Sequence, residues 1–451
     1  MNPFPVAFAE AMQAQLGEAF PAFRDALLAP APVSVRFHLL KNKTGWENSE
    51  KVKWAHNGAY LPERPVFTLD PAFHAGAYYV QEASSMLVAA ALEQLFPNTG
   101  GLRVLDLAAA PGGKSTLLIE RLAPDSLLVA NEVIRSRFQT LAYNMIKWGY
   151  PNVAVTNHDS SDFLALGNWF DLVLLDAPCS GEGLFRKDPD AMAEWSPDNV
   201  QHCAARQKRI LADAAQLLKP GGVLLYSTCT YNARENDDNM AWMTKTYGLE
   251  PLRLEFPEIW GTSPTKTGIQ CYPHRVKGEG FFLAALQKTG SDRPTAKAQV
   301  KKPSGRDVLP QKYLPPVRPL LKDPDRYAFF TDARQNIHAV PLEVENPAAH
   351  LAPLLPRCHY GLEIGRLKGN DLVPSPALAL STAIAPGLPA ADLDRHTALH
   401  YLKKEAVELP GAPRGWALAR YQGLNLGWVK VLPGRTNNYY PREWRILMEI
   451  P

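Results

Sequence analysis

Val104-Leu105-Asp106-Leu107-Ala108-Ala109-Ala110-Pro111-Gly112-Gly113-Lys114 decides the fold. Its first residues read as a buried strand, its proline and paired glycines as a tight turn, and the residues from Lys114 on as a helix. A strand that passes through a glycine turn into a helix opens a doubly wound sheet, whose ligands gather at the carboxyl ends of parallel strands. Strand and helix patterns keep alternating from Leu102 to about Lys288. Strands are expected at 103–108, 126–132, 153–158, 171–176 and 222–228, and helices at 114–123, 135–147, 197–218 and 234–247. The class is therefore α/β with a doubly wound parallel sheet. A late pair of elements around Gly278-Glu279-Gly280-Phe281-Phe282-Leu283-Ala284-Ala285 closes it.

Two of the later strand ends carry thiols. One lies in Leu174-Leu175-Asp176-Ala177-Pro178-Cys179-Ser180-Gly181, the other in Leu225-Tyr226-Ser227-Thr228-Cys229-Thr230. Free cysteine is most often a small buried core residue, but each of these follows its strand instead of lying within it. Cys203, Cys271 and Cys358 lack such a setting and read as inert. Glu132 ends the second strand, where a carboxylate grips ribose hydroxyls, and Asp159 ends the third, within reach of an adenine amino group.

Gly112-Gly113-Lys114-Ser115 imitates the end of a phosphate-binding loop. The first glycine of that motif would fall on Ala108, however, and Pro111 removes an amide that a phosphate would use. The turn suits a methyl donor instead, whose amino-acid tail needs close backbone approach and no phosphate clamp. Carbon 5 of cytosine is a weak nucleophile. A thiolate adding at carbon 6, with an acid at ring nitrogen 3, turns it into an enamine that can attack a methyl sulfonium. Asp176 with either Cys179 or Cys229 meets that need, and spacing does not choose between the two thiols.

The whole chain sets the frame. Its 451 residues, 46% hydrophobic and 21% charged, are those of a globular protein of two or three domains. No run nears 18 apolar residues, so no membrane span is expected. Met1-Asn2-Pro3-Phe4-Pro5 lacks the basic start of a secretory signal. Five cysteines without a Cys-x-x-Cys pair imply a reduced, cytoplasmic setting. Net charge is only +3, but Arg293 to Lys322 hold eight basic residues (Arg293, Lys297, Lys301, Lys302, Arg306, Lys312, Arg318, Lys322) against one acid, Asp307. With six prolines, that stretch reads as a basic linker. Pro5 to Leu28 has helical spacing, Val33, Val35 and Phe37 alternate as a strand, and Met86 to Phe96 forms a helix. Residues 320–451 read as short strands and turns, with Arg435-Thr436-Asn437-Asn438-Tyr439-Tyr440-Pro441-Arg442 mixing cations and aromatics.

On these motifs the chain resembles the Sun/Fmu-type RNA (cytosine-5-) methyltransferases, and within them the bacterial ribosomal-RNA branch with a C-terminal PUA-like domain. Arg137, Asn144 and Gly149 match the family's second cofactor helix, and Pro273-His274 with Gly280-Phe281-Phe282 its closing strands. The resemblance implies a Rossmann-like methyltransferase domain at 86–290 between an N-terminal α+β RNA-binding module at 1–85 and a small β-rich PUA-like RNA-binding domain at 390–451. The linker at 291–320 and an intermediate segment at 321–389 join them. It further implies S-adenosylmethionine bound by Ala108, Ala109, Ala110, Pro111, Gly112, Gly113, Lys114, Glu132, Arg137, Asp159 and Asp176, and no metal. It makes Cys229 the nucleophile, Cys179 the residue that helps release product, and Asp176 the ring activator. The implied partner is RNA, as small-subunit ribosomal RNA or the subunit itself, with the enzyme a monomer. Transfer RNA is the alternative substrate, and an RNA-binding protein without catalysis the alternative class, which would leave Asp176, Cys179 and Cys229 without a role. Ala108 stands where many members carry cysteine.

Overall fold

The computed structural model describes residues 4–41, 45–46, 48–290, 306–369 and 371–450. Five parallel strands, β1 (Arg103–Asp106), β2 (Leu127–Asn131), β3 (Val153–Thr156), β4 (Phe170–Asp176) and β5 (Leu218–Thr228), lie side by side in the order β5-β4-β1-β2-β3. The expected closing element is β6 (Phe281–Lys288), antiparallel to β5. The chain leaves β1 toward β2 on one side and returns to β4 on the other. The crevice of a doubly wound sheet therefore opens between the ends of β1 and β4.

Both faces of this sheet are covered, which is why its strands read as unbroken apolar runs. Val104, Leu172, Leu174 and Leu225 pack into one layer with the side chains of α1 (Gly113–Arg121) and α2 (Arg135–Trp148). Leu105, Val173, Leu175 and Leu224 pack into the other with α3 (Pro197–Leu217) and α4 (Asp237–Tyr247). Two boundaries differ from expectation. β5 starts at Leu218, its early residues accommodated by a register shift between Phe170 and Leu172 of β4. α4 starts at Asp237 instead of 234, because Asn232, Glu235 and Asn236 spend their side chains on buried hydrogen bonds in the turn before it.

The N-terminal stretch expected as one helix from Pro5 to Leu28 is two, Val6–Leu16 and Phe20–Leu28, broken at Gly17. The strand Val33–Phe37 is the centre of a three-stranded antiparallel sheet with Gly58–Leu61 and Tyr78–Val80. The expected basic linker is corrected in part. Arg293, Lys297, Lys301 and Lys302 lie outside the described residues, but Asp307–Val308 pairs with Tyr327–Thr331 in a five-stranded sheet. Arg306, from the same stretch, lies 3.7 Å over the Tyr360 ring. Within 321–389, Cys358–Tyr360 adds antiparallel to the outer side of β3, and the helix Leu342–Leu351 covers the second face of the main sheet. The C-terminal region forms a four-stranded sheet in the order Ala390–Leu393, Gly415–Tyr421, Leu424–Leu432, Arg435–Asn438. It shares a core with the N-terminal sheet, in which Val35 and Phe37 join Leu399, Tyr401 and Val429. Among the described residues no helix is long and apolar enough to cross a membrane.

Candidate active site

β4 and β5 pair in parallel with Asp176 opposite Ser227, so the turns that follow leave the same end of the sheet. That register brings the two thiols together, with Cys179 Sγ and Cys229 Sγ 3.1 Å apart and both residues half-buried. The turns are drawn tight by the Gly183 N–H, which donates to the Cys229 carbonyl at 2.7 Å. A Cβ at position 183 would sit 2.7 Å from that oxygen and 3.1 Å from the Gly280 carbonyl, so only glycine allows the approach. The hydrogen bond with Cys229, reinforced by burial, pushes the Cys179 thiol well above its ordinary range. Cys203, Cys271 and Cys358 are buried; burial pushes Cys358 up to about 12.

Across the crevice, the ends of β1 and β4 present two carboxylates. Burial raises Asp106 to about 7 against the hydrogen bond that Ser115 Oγ donates to its Oδ2 at 2.6 Å, and the Asp176 charge adds to the rise. Its other oxygen, Oδ1, is buried with no partner. Asp176 accepts from Ser227 Oγ at 2.7 Å and pairs with Lys114 Nζ at 2.8 Å. Burial works to strip Lys114 of its proton, but Asp176, with Asp106 and Cys229 behind it, outweighs this and holds its pKa above the ordinary value.

Residues 108–113 form the wall between these groups and β2. Gly112 has φ +111°, and a Cβ there would meet Leu141 Cδ1 at 3.3 Å. Ala109 N–H donates to the Asn131 carbonyl at 2.7 Å, Arg137 Nη2 to the Ala110 carbonyl at 2.8 Å, and Asn144 Nδ2 to the Pro111 carbonyl at 2.8 Å. Arg137 also approaches the buried Glu132, 3.8 Å from Oε2, while Glu132 Oε1 accepts the Ile134 N–H. The structure thus gathers Ala108 to Lys114, Glu132, Arg137, Asp176, Cys179 and Cys229 at one crevice. Asp159 carries a cation of the chain itself. Its two oxygens take the Arg209 guanidinium at 2.9 and 3.1 Å and it caps the turn at Ser161. The Arg209 contact holds it down to about 2.

Sequence reasoning missed Ser227 and three residues around the thiol turns, Glu182, Asn232 and Glu235. Nothing in their spacing shows that they point inward. A glutamate next to glycine or asparagine, as Glu182 is to Gly181 and Gly183 and Glu235 is to Asn236, reads as surface turn until the fold buries it. Among the described residues, no group of histidines, cysteines and acids could hold a metal ion.

Three family models match the sequence: "16S rRNA methyltransferase RsmB/F" over residues 93–287, "N-terminal domain of 16S rRNA methyltransferase RsmF" over 4–83, and "Methyltransferase RsmF PUA domain" over 389–446. The chain is similar to the ribosomal RNA small subunit methyltransferase F of Salmonella paratyphi A and to that of Salmonella heidelberg. Each is 37% identical over 316 residues, which cover 64% of this chain and 65% of the relative. The chain therefore spans about two thirds, 65%, of the length of the curated relatives it matches. Among solved structures, a methyltransferase homolog protein from Pyrococcus horikoshii is 29% identical with a TM-score of 0.55, over 63% of this chain and 96% of that one. NSun6 from Pyrococcus horikoshii with SFG, 21% identical with a TM-score of 0.55 over 64% and 100% of the two chains, shares the fold.

Proposed function

With its N-terminal, central and C-terminal portions each matching one of its models, the chain belongs to the RsmB/F family of 16S rRNA methyltransferases, and from that premise we propose that it methylates carbon 5 of a cytosine in small-subunit ribosomal RNA. The observation that carries this reading is the thiol pair at 3.1 Å beside the Asp176–Lys114 ion pair.

The crevice fits S-adenosylmethionine. Asp106 Oδ1 is a buried acceptor with no partner, suited to an ammonium or its ordered water, and Glu132 is a carboxylate for ribose hydroxyls. Gly112 leaves the space that a side chain would fill. When bound, this cofactor supplies an electrophilic methyl group.

The chain's own groups do the rest. Cys229 attacks carbon 6 of the cytosine as a thiolate, forming a C–S bond and moving the ring electrons toward nitrogen 3. Asp176 takes a hydrogen bond from the exocyclic amine, and the Lys114 ammonium provides the positive charge that ring nitrogen 3 needs as it gains electrons. After carbon 5 is methylated, its proton must leave so that the C–S bond can break and Cys229 can depart as thiolate. Cys179 is placed to take part at this point. Once Cys229 is a thioether, Cys179 loses the hydrogen bond that contributes most to holding its proton, and it acts as the base that takes the carbon 5 proton. Carbon 6 is inaccessible in a stacked helix, so the target cytosine is unpaired or flipped.

The test separates the thiols. Cys179→Ala should complete addition and methyl transfer, then accumulate a protein–RNA species that survives denaturing electrophoresis. Cys229→Ala should form neither adduct nor product, and Asp176→Ala should lose activity without accumulating adduct. Trapping by Cys229→Ala and not by Cys179→Ala would reverse the assignment. Bisulfite sequencing of ribosomal and transfer RNA from cells lacking the protein identifies the substrate: an unchanged small-subunit RNA would overturn the ribosomal reading.

A further inference from the structure

The two thiol turns are joined by more than the Gly183 contact. Glu182 stands three residues after Cys179 and reaches across to the other turn. Its Oε2 accepts the Tyr231 and Asn232 N–H groups at 2.7 and 3.1 Å, and its Oε1 accepts from Trp195 Nε1 at 3.0 Å. Glu235 stands six residues after Cys229 and reaches back. It takes the Ser180 N–H at 3.0 Å and the Ser180 hydroxyl, and accepts from Gln207 Nε2 at 2.7 Å. The Asn232 amide sits between them and donates to Glu182 at 3.0 Å and Glu235 at 2.8 Å. The braces are reciprocal: each turn supplies the acid that grips the backbone beside the other turn's thiol.

These carboxylates are 1% and 0% exposed, and among the described residues neither lies within ion-pair distance of a lysine or arginine. Burying an acid without a counter-cation is costly even when hydrogen-bonded. Every partner of the two side chains is a donor, and all four carboxylate oxygens are used as acceptors, which an amide with its single oxygen could not match. Gln207 ties Glu235 to the thiol further, since its Nε2 also donates to the Pro178 carbonyl, one residue before Cys179, at 3.0 Å. The negative charge of Glu235 lies close enough to Cys179 to disfavour a thiolate there.

Resting on the cytosine-methylating reading above, we propose that Glu235 is a positioning residue for the product-release step: it holds Cys179 at its station beside Cys229 by gripping the Ser180 backbone and hydroxyl. Glu182 is its counterpart on the Cys229 turn. Neither touches substrate.

Three variants test this, each first checked for an unchanged thermal transition and S-adenosylmethionine binding by calorimetry. Glu235→Ala should lower kcat by about 10- to 100-fold, the range that a displaced catalytic group costs, with KM changed less than about threefold. It should also accumulate the denaturation-resistant RNA adduct expected of Cys179→Ala. Glu235→Gln should recover part of kcat, because its one oxygen can still accept the Ser180 N–H and Gln207 Nε2 while its amide replaces the acceptor that the Ser180 hydroxyl and Asn232 use. In that variant, iodoacetamide labelling of Cys179, mapped by mass spectrometry, should become faster at pH 8 than in the wild type, because the charge is lost while the Ser180 N–H keeps an acceptor. The labelling needs no turnover, so it decides the matter even if Glu235→Ala does not fold. Wild-type kcat without adduct in Glu235→Ala, or unchanged Cys179 labelling in Glu235→Gln, would overturn the proposal. If Cys179→Ala itself trapped no RNA, the methylation mechanism would fail first, and the two failures are thereby told apart.

Discussion

Replacing Arg36 should cost a large part of the protein's stability and loosen the cofactor turn with it. Arg36 is fully buried on the N-terminal strand Val33–Phe37, and its guanidinium pairs with Glu120, also buried, on α1. It donates to Gln81 Oε1 at 2.8 Å and to Thr116 Oγ1 at 2.6 Å, and lies 4.7 Å over the Trp148 ring. The N-terminal sheet is therefore bolted to the helix that begins at Gly113. In Arg36→Met, Glu120 would keep, among the described residues, hydrogen bonds from the Leu39 N–H at 2.9 Å and Asn57 Nδ2 at 3.3 Å, with the more distant Arg121 charge and the His38 ring at 3.9 Å as weaker support. An uncompensated buried carboxylate of this kind costs about 3–5 kcal/mol, against a total of about 5–15 kcal/mol for a typical domain. Urea unfolding followed by circular dichroism would read the loss as a lower midpoint. The double variant Arg36→Met, Glu120→Gln removes the stranded charge and should recover at least half of it. A loss below about 1 kcal/mol in the single variant, or no recovery in the double, would refute the reasoning, because both outcomes require that Glu120 is not stranded.

Two further outcomes follow from single positions. Gly112→Val forces a β-branched residue to φ +111° and toward Leu141, so it should cost about 1–3 kcal/mol of stability and abolish the calorimetric signal of S-adenosylmethionine, while ATP gives none with wild type; tight ATP binding would revive the phosphate-loop reading. Burial pushes Lys147 down to about 7, its ammonium lying 3.8 Å over the Phe73 ring. Below pH 7 it is charged in both states, and its burial penalty is fully present. From pH 7 toward its unfolded value the folded protein sheds the proton that the unfolded chain retains, so stability rises with pH. Lys147→Met should therefore melt higher than wild type at pH 6 by more than it does at pH 9; a gap independent of pH would mean that Lys147 does not titrate.

The parts of this fold legible in sequence are those in which one residue type can do the job. Strands sandwiched between helical layers must be apolar throughout, so β1, β2, β4 and β5 announced themselves, and the turn at Gly112 needed glycine for its positive φ. Strands that borrow their stability from neighbours left no such mark. Cys358–Tyr360 is three residues, too short for its alternation to mark a strand, and it exists as a strand because β3 offers an open edge. Leu342–Leu351 carries Pro347 in its interior, a weak helix by propensity, and is held by the apolar face of the sheet it covers. Arg306 read as a solvated linker charge, since no spacing shows that Tyr360 and Phe330 will stack around it.

The candidate site divides along the same physical line. Asp176, Cys179 and Cys229 could be picked out because reactive groups at strand ends stand where a core residue would not. What sequence left open was which thiol attacks, and geometry bears on that through asymmetry. Cys179 is pressed by the Glu235 charge and by its hydrogen bond with Cys229, while the cation of the site, Lys114, lies in the field of Cys229 and Asp176. Negative charge is thus stacked behind one sulfur and positive charge placed before the other. A pair of identical side chains 3.1 Å apart becomes two different reagents. Asp106 needs a separate argument, since its Oδ1 has no partner among the described residues. Burial is the main reason that its carboxyl resists ionisation, and the Asp176 charge at the neighbouring strand end adds to it. Lys114 serves Asp176, which leaves Asp106 in need of a donor from outside the chain. A cofactor with a cationic tail meets that need, and its arrival should favour the ionised form of Asp106 and release a proton. Calorimetric binding enthalpies measured near pH 7 should therefore vary with the ionisation enthalpy of the buffer.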